Sequence, residues 1–258
     1  MHPLINVALR AARDAAELLA QQVDRLDRVT VLDSSPNALL TSSDKDADRT
    51  ILYHLQKAHP DHSFHSRVSG LTQGKDPHVL WLIDPVAGNG NFMRGLQGFL
   101  VSIACQVDGK LSHAVLIDPL LGEEFTASRG AGALLNSRRL RASTRDKLEG
   151  ALLALEPPLD SELLPDFGSF QQKLDSNGAR WRSFGCPTLD LLYTAAGRVD
   201  GGLAPNPGRL PLAAAALVLQ ESGGLLSNTA GSPDVSSGAD LVFGNPKCLK
   251  LLLKLCTR

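Results

Sequence analysis

Asp84 is the residue through which this chain is best placed to do chemistry. The stretch Trp81-Leu-Ile-Asp-Pro-Val-Ala-Gly-Asn-Gly-Asn-Phe92 carries an acid to the end of the apolar run Val79 to Ile83. Pro85, Gly88 and Gly90 are expected to stop the strand there. A carboxylate at a strand end, beside a glycine-rich turn, suits a metal-bound phosphate. Magnesium, however, wants near-octahedral oxygen ligation, and this stretch supplies a single acid. Gly88-Asn89-Gly90-Asn91 also reads as the lead-in to a short helix whose free N–H groups attract an anion, helped by Arg67; a plain turn explains it equally well. Asp44, in Thr41-Ser42-Ser43-Asp44, has the chemistry of a general base. The hydroxyls and acid just ahead of the periodic Ile51, Leu52 and Leu55 mark a helix start, so capping takes precedence. Cys186 and His65 are nucleophile types that no spacing pairs with a base, and packing or exposure accounts for them. Arg138, Arg139 and Arg141 read as a solvated face, with RNA or partner contact as the minority reading.

The elements that must position these residues follow from periodicity. Leu4, Ala8, Ala11, Ala12, Ala15, Leu18 and Leu19 recur at helical spacing, which predicts a helix over about the first 23 residues. A second helix starts near Asp44 and ends at Pro60. Residues 63–74 read as a loop or short strand leading to the strand Val79 to Ile83. Asp108-Gly109 between the runs Phe99 to Val107 and Leu111 to Ile117 is a hairpin signal, and Phe125 to Ala127 and Ala133 to Leu135 extend the same antiparallel sheet. The second half alternates. Strands are expected at Ala151 to Leu155, near Trp181, at Val199 to Leu203, near Leu225 and at Leu241 to Phe243. Helices are expected through Phe170 to Leu174, Pro187 to Ala196, Leu212 to Glu221 and from Pro246. The chain therefore reads as one domain of two lobes, an antiparallel-rich α+β lobe over 1–140 and an α/β lobe over 141–258.

With 258 residues, 43% of them hydrophobic and 21% charged, the chain can bury a sizeable core. A formal net charge of −1 argues against a dedicated nucleic-acid or anionic-membrane binder. Cys105, Cys186, Cys248 and Cys256 form no Cys-x-x-Cys pair, which points to reduced thiols in the cytoplasm rather than to zinc or a disulfide framework. The longest apolar run, Leu210 to Leu219, contains Pro211 and is too short to span a bilayer.

With the element order in place, Trp81 to Phe92 resembles the Trp-x-Ile-Asp-Pro-Ile-Asp-Gly-Thr-x-Asn-Phe motif of the inositol monophosphatase family. The opening Met1 to Arg13, Asp44-Lys45, Phe125 to Gly130, Leu189-Asp190-Leu191, Ala195 to Gly201 and Glu221 to Gly224 extend the likeness over nearly the whole chain and are most similar to the bacterial SuhB branch. The resemblance implies a layered αβαβα sandwich, often a homodimer, that hydrolyses phosphate monoesters with magnesium and an activated water. For the SuhB branch it also implies a partnership in transcription antitermination and ribosomal RNA synthesis.

Carried over residue by residue, Asp84 matches the first motif aspartate, the carbonyl of Val86 matches the backbone ligand, and Asp44 matches the water-activating aspartate. The other positions differ. Ala87 stands for the second motif aspartate, Asn89 for the threonine, Arg67 for the ligand glutamate, Pro211 for the third aspartate and Ala204 for a substrate-contacting glutamate. A permanent cation at Arg67 repels a neighbouring dication by roughly 4 kcal/mol per unit charge at an effective dielectric near 20. An Arg67 to Asp84 ion pair is expected in place of the metal. The expected function is a cytoplasmic binding or scaffold protein without a cofactor, a homodimer acting with transcription or ribosome-assembly machinery. The alternatives are a weak magnesium-dependent phosphomonoesterase and a metal-free binder of phosphate ligands.

Overall fold

The computed structural model describes residues 2–34, 39–157, 164–235 and 240–256. At the N-terminus, Pro3 occupies the first turn of a helix, where its missing N–H costs nothing, and the His2 Nδ1 accepts from the Leu4 N–H at 3.3 Å. This helix, α1 (Pro3–Val23), buries Ile5, Leu9 and Leu19 with five alanines, a face flat enough to lie close on its neighbours. A short hairpin, β1 (Val31–Asp33) with β2 (Leu40–Thr41), leads into α2 (Ser42–Ala58).

The next strands build one sheet. They are β3 (Ser63–Ser66), β4 (Gly70–Thr72), β5 (Val79–Ala87), β6 (Leu100–Val107), β7 (Lys110–Asp118), β8 (Glu123–Ser128), β9 (Gly132–Leu135) and β10 (Arg138–Arg139), in spatial order β10-β9-β8-β7-β6-β5-β3-β4. Only β3 and β5 run parallel; every other neighbour pair is antiparallel. Asp108 and Gly109 both have positive φ, 51° and 72°, the mirror-image turn that matches strand twist in a two-residue hairpin. The short helix α3 (Asn89–Phe92) follows β5, starting from Gly88 at φ 87°.

A second sheet comprises β11 (Leu152–Leu155), β12 (Arg180–Arg182), β13 (Gly201–Ala204), β14 (Leu225–Asn228) and β15 (Leu241–Gly244), in order β12-β11-β13-β15-β14. Between these strands come α4 (Leu164–Ser176), α5 (Pro187–Ala195) and α6 (Arg209–Glu221), and α7 (Pro246–Cys256) closes the chain. Helices α1 and α2 cover one face of the first sheet, α5 and α6 lie between the two sheets, and α4 and α7 cover the far side. The layering is αβαβα. Burial on every side explains the unbroken apolar run: Leu212 to Leu219 are all buried because α6 has sheets on both flanks. Among the described residues no helix is long and apolar enough to cross a membrane, and all four cysteines are free thiols.

Two local expectations need correction and one open alternative is settled. Strand β5 does not stop at Asp84 but runs on to Ala87, because a bulge between Asp84 and Ala87 takes Pro85 out of the ladder where its missing N–H goes unneeded. The helix α4 starts at Leu164, well before Phe170, and of the two readings of residues 63–74 the short strand holds, as the paired strands β3 and β4.

Candidate functional site

Thr41 and Asp44 form a capping box at the start of α2. Asp44 Oδ2 accepts from the Thr41 N–H at 2.8 Å and from its hydroxyl at 2.7 Å, while Thr41 Oγ1 accepts from the Asp44 N–H at 3.3 Å. The other carboxylate oxygen, Oδ1, lies behind the wall of a cleft and accepts from two residues that line it, from Asn89 Nδ2 at 2.6 Å and from Arg67 Nη2. Capping and site are therefore one residue.

Arg67 arrives from the end of β3, where its own N–H donates to the Ile83 carbonyl at 2.9 Å and keeps the chain in register beside β5. Its Nε donates to Asp84 Oδ1 at 2.7 Å. Its Nη2, besides Asp44, reaches the Val86 carbonyl and Asn89 Oδ1, both at 3.3 Å. Asp44 is fully buried and Asp84 is 3% exposed, so this is a desolvated cluster of two acids and one cation. Burial pushes the Arg67 guanidinium toward losing its proton, but Asp84 and Asp44 more than offset this and hold its pKa above the ordinary value. Burial lifts the Asp84 carboxyl above the usual carboxylate range, and Arg67 works against that lift.

The cleft, about 410 Å³, brings Arg67, Asp84, Ala87, Gly88, Asn89 and Gly90 together with Cys186 and Pro211 from the second half of the chain. Gly88 is required at its position: a Cβ there would lie 2.6 Å from the Gly98 carbonyl oxygen. Pro211 occupies the first turn of α6, where proline is tolerated.

These residues do not fit a magnesium ion. Oδ1 of Asp44, Oδ1 of Asp84 and the Val86 carbonyl all accept from the guanidinium of Arg67, Asp44 Oδ2 is taken up by Thr41, and Ala87 and Pro211 bring no oxygen-bearing side chain. Among the described residues no group of three or more His, Cys, Asp or Glu side chains is arranged to hold a metal.

Among the remaining sequence candidates, Cys186 lines the cleft without being reactive and the others lie away from it. Cys186 caps α5 at 2% exposure, and burial pushes its thiol up to about 12, far from a thiolate nucleophile. His65 is exposed on β3, Arg138 and Arg139 are exposed on β10, and Arg141 is exposed just beyond it. Ala204 is wholly buried at the end of β13.

Three residues have roles that the sequence does not assign. Asn91 ties the cleft's two halves together by donating to the Gly98 carbonyl at 3.0 Å and the Phe184 carbonyl at 2.7 Å. Glu156 organises the loop ahead of α5: it accepts from the Phe184 and Gly185 N–H groups at 2.6 and 2.7 Å and from the Ser183 hydroxyl at 2.8 Å. Asp190 on α5 is fully buried, and among the described residues neither of its carboxylate oxygens has a hydrogen-bond partner. The signal was an acid inside the apolar run Leu189-Asp190-Leu191-Leu192, which sequence alone treats as a family marker. Burial, reinforced by the charge of Glu156, raises the Asp190 pKa well above the usual range. The folded state thus holds a proton that the unfolded chain releases, so stability falls as pH rises above the unfolded carboxylate pKa, until the folded pKa is passed. Asp190→Asn should stabilise the protein by about 1–3 kcal/mol at pH 8. The gain should shrink toward pH 4.5, as read by urea denaturation at the two pH values.

The family model described as the inositol monophosphatase family matches residues 1–256. The chain belongs to the inositol monophosphatase family. Within it, the chain is 43% identical to Nus factor SuhB of Pseudomonas aeruginosa over 258 aligned residues, which cover 98% of this chain and 95% of that protein. Nus factor SuhB of Escherichia coli K12 is 38% identical with the same coverage. Among solved inositol monophosphatase folds, the extragenic suppressor protein suhB of Bartonella henselae superposes with a TM-score of 0.95 at 30% identity, covering 100% of this chain and 99% of that one. The Thermotoga maritima IMPase superposes with a TM-score of 0.88 at 25% identity, covering 99% and 97%.

Proposed function

We propose that this inositol monophosphatase relative has given up magnesium-dependent phosphate ester hydrolysis and works as a cytoplasmic binding or scaffold protein of the transcription machinery. The observation that carries this reading is the guanidinium of Arg67, bonded to both acids and to the Val86 carbonyl where the family resemblance puts metal ligands. The local charge of two carboxylates and one guanidinium is net −1, and Arg67 is already engaged, so the cleft offers a phosphate little attraction. The relatives named Nus factor SuhB support a partner in antitermination. Neither a cofactor nor a bound metal enters this role.

The test is a phosphatase panel of inositol and sugar phosphates with magnesium, run beside copurification with Nus factors from the native cell. No turnover above the Asp84→Asn background is expected, with copurification unaffected by that substitution or by a chelator. Turnover that Asp84→Asn abolishes would identify a working phosphomonoesterase and overturn the reading.

A further inference from the structure

The outer flank of α2 carries a stripe that the cleft does not use. Lys45, Arg49, Tyr53 and Lys57 recur every four residues, and all four are exposed. The Arg49 side chain is 80% exposed and, among the described residues, pairs only at a long 3.7 Å with Asp46; the Tyr53 ring, 59% exposed, lies under the Lys57 ammonium at 5.4 Å.

Beside this stripe a groove of about 530 Å³ runs between α2 and Val68-Ser69, with Leu52 and Val68 as its apolar walls. It is preformed. Asp48 of α2 accepts from the Ser66 hydroxyl at 2.5 Å, and Ser66 Oγ accepts from the Val68 N–H at 3.0 Å, which fixes the two walls against each other. The same contact takes the one acid of the groove out of play, because Asp48 is 4% exposed and turned inward. What faces solvent is a row of cations flanking a phenol and an apolar slot, on a chain whose overall charge is −1.

We propose that this groove docks an acidic segment of a partner protein, with its carboxylates on Lys45, Arg49 and Lys57 and an apolar side chain in the slot against Leu52, Tyr53 and Val68. The charge pattern selects such a segment over a basic one, and the slot gives it an anchor that a purely ionic contact lacks. This rests on the reading of the chain as a binding protein and adds the surface and the chemistry of what it binds.

The experiment titrates a fluorescent acidic amphipathic peptide, with glutamates on one flank and leucines at helical spacing, into the full chain. Saturable binding is expected. Lys45→Glu/Arg49→Glu should weaken it by about tenfold or more. Tyr53→Ala should weaken it severalfold even at high salt, where the charges are screened. All three side chains are exposed, so the variants should melt as the parent does. The proposal fails if the peptide does not bind, if the charge-reversed chain binds it equally, or if a lysine-bearing counterpart peptide binds as well. It also fails if a single-stranded RNA oligonucleotide competes for the same residues, or if Lys45→Glu/Arg49→Glu changes the oligomeric state in sedimentation, since the face would then belong to RNA or to a second copy. Nus-factor copurification retained by the charge-reversed chain would remove the groove while leaving the function of the preceding section intact. Phosphatase turnover would do the opposite.

Discussion

Arg67→Ala should lower folding stability by about 3–5 kcal/mol, the cost of leaving buried charge without its partner. Asp44 and Asp84, both essentially excluded from solvent, would face each other with no cation between them, and the Val86 carbonyl would lose its donor. The loss should be largest at neutral pH. Burial already lifts the Asp84 carboxyl, and without Arg67 nothing opposes that lift, so the folded state binds the Asp84 proton more tightly than the unfolded one; lowering the pH toward the unfolded carboxylate pKa relieves the repulsion and narrows the gap from the parent. Adding Asp84→Asn to the Arg67→Ala variant should recover part of the stability, because it removes one of the two uncompensated charges. Asp84→Asn alone should cost less than Arg67→Ala, since Arg67 keeps its bond to Asp44. Urea denaturation of the four chains gives the coupling energy directly. A loss below about 1 kcal/mol for Arg67→Ala would mean that the cluster behaves as a solvated surface pair.

Rebuilding the oxygen set should turn the cleft into a magnesium site. Arg67→Glu, Ala87→Asp, Asn89→Thr and Pro211→Asp together remove the cation and add three carboxylates around a cleft that already holds Asp84 and the Val86 carbonyl. The fourfold variant should be stabilised by magnesium, by about 2.7 kcal/mol at a concentration one hundred times its Kd, whereas the parent should show no such dependence. Calorimetry with and without magnesium reads both. A parent whose melting temperature rises with magnesium as steeply as the variant's would contradict the account of the donor set.

The fold was legible where the physics is local. The alanine-rich spacing of α1, the Asp108-Gly109 turn and the apolar run of α6 each specify an element from a few neighbouring residues. The extension of β5 past Pro85 was not, because a bulge becomes favourable only when a neighbouring strand such as β6 is there to accommodate it. The site was legible to the extent that it lies within one motif: Asp84, Asn89 and the glycines sit together by sequence. The double use of Asp44, with one oxygen capping α2 and the other holding Arg67 and Asn89, depends on where α2 meets β3 and β5, which no local pattern encodes. Asp190 was passed over for the converse reason. Its burial without a partner is a property of the layer between the two sheets and not of α5 alone.

The shared carboxylate of Asp44 also acts as a ratchet. Arg67→Glu alone would set a third acid beside Asp44 and Asp84 before any metal could bind, and it would strain the cap that starts α2 because the same side chain serves both. Ala87→Asp or Pro211→Asp alone would add an acid to a cleft whose single guanidinium is already committed. Each of these three single changes is therefore expected to give a less stable protein than the parent, whereas the combined change, which removes the cation and completes a ligand set, is expected to regain that stability once magnesium is bound.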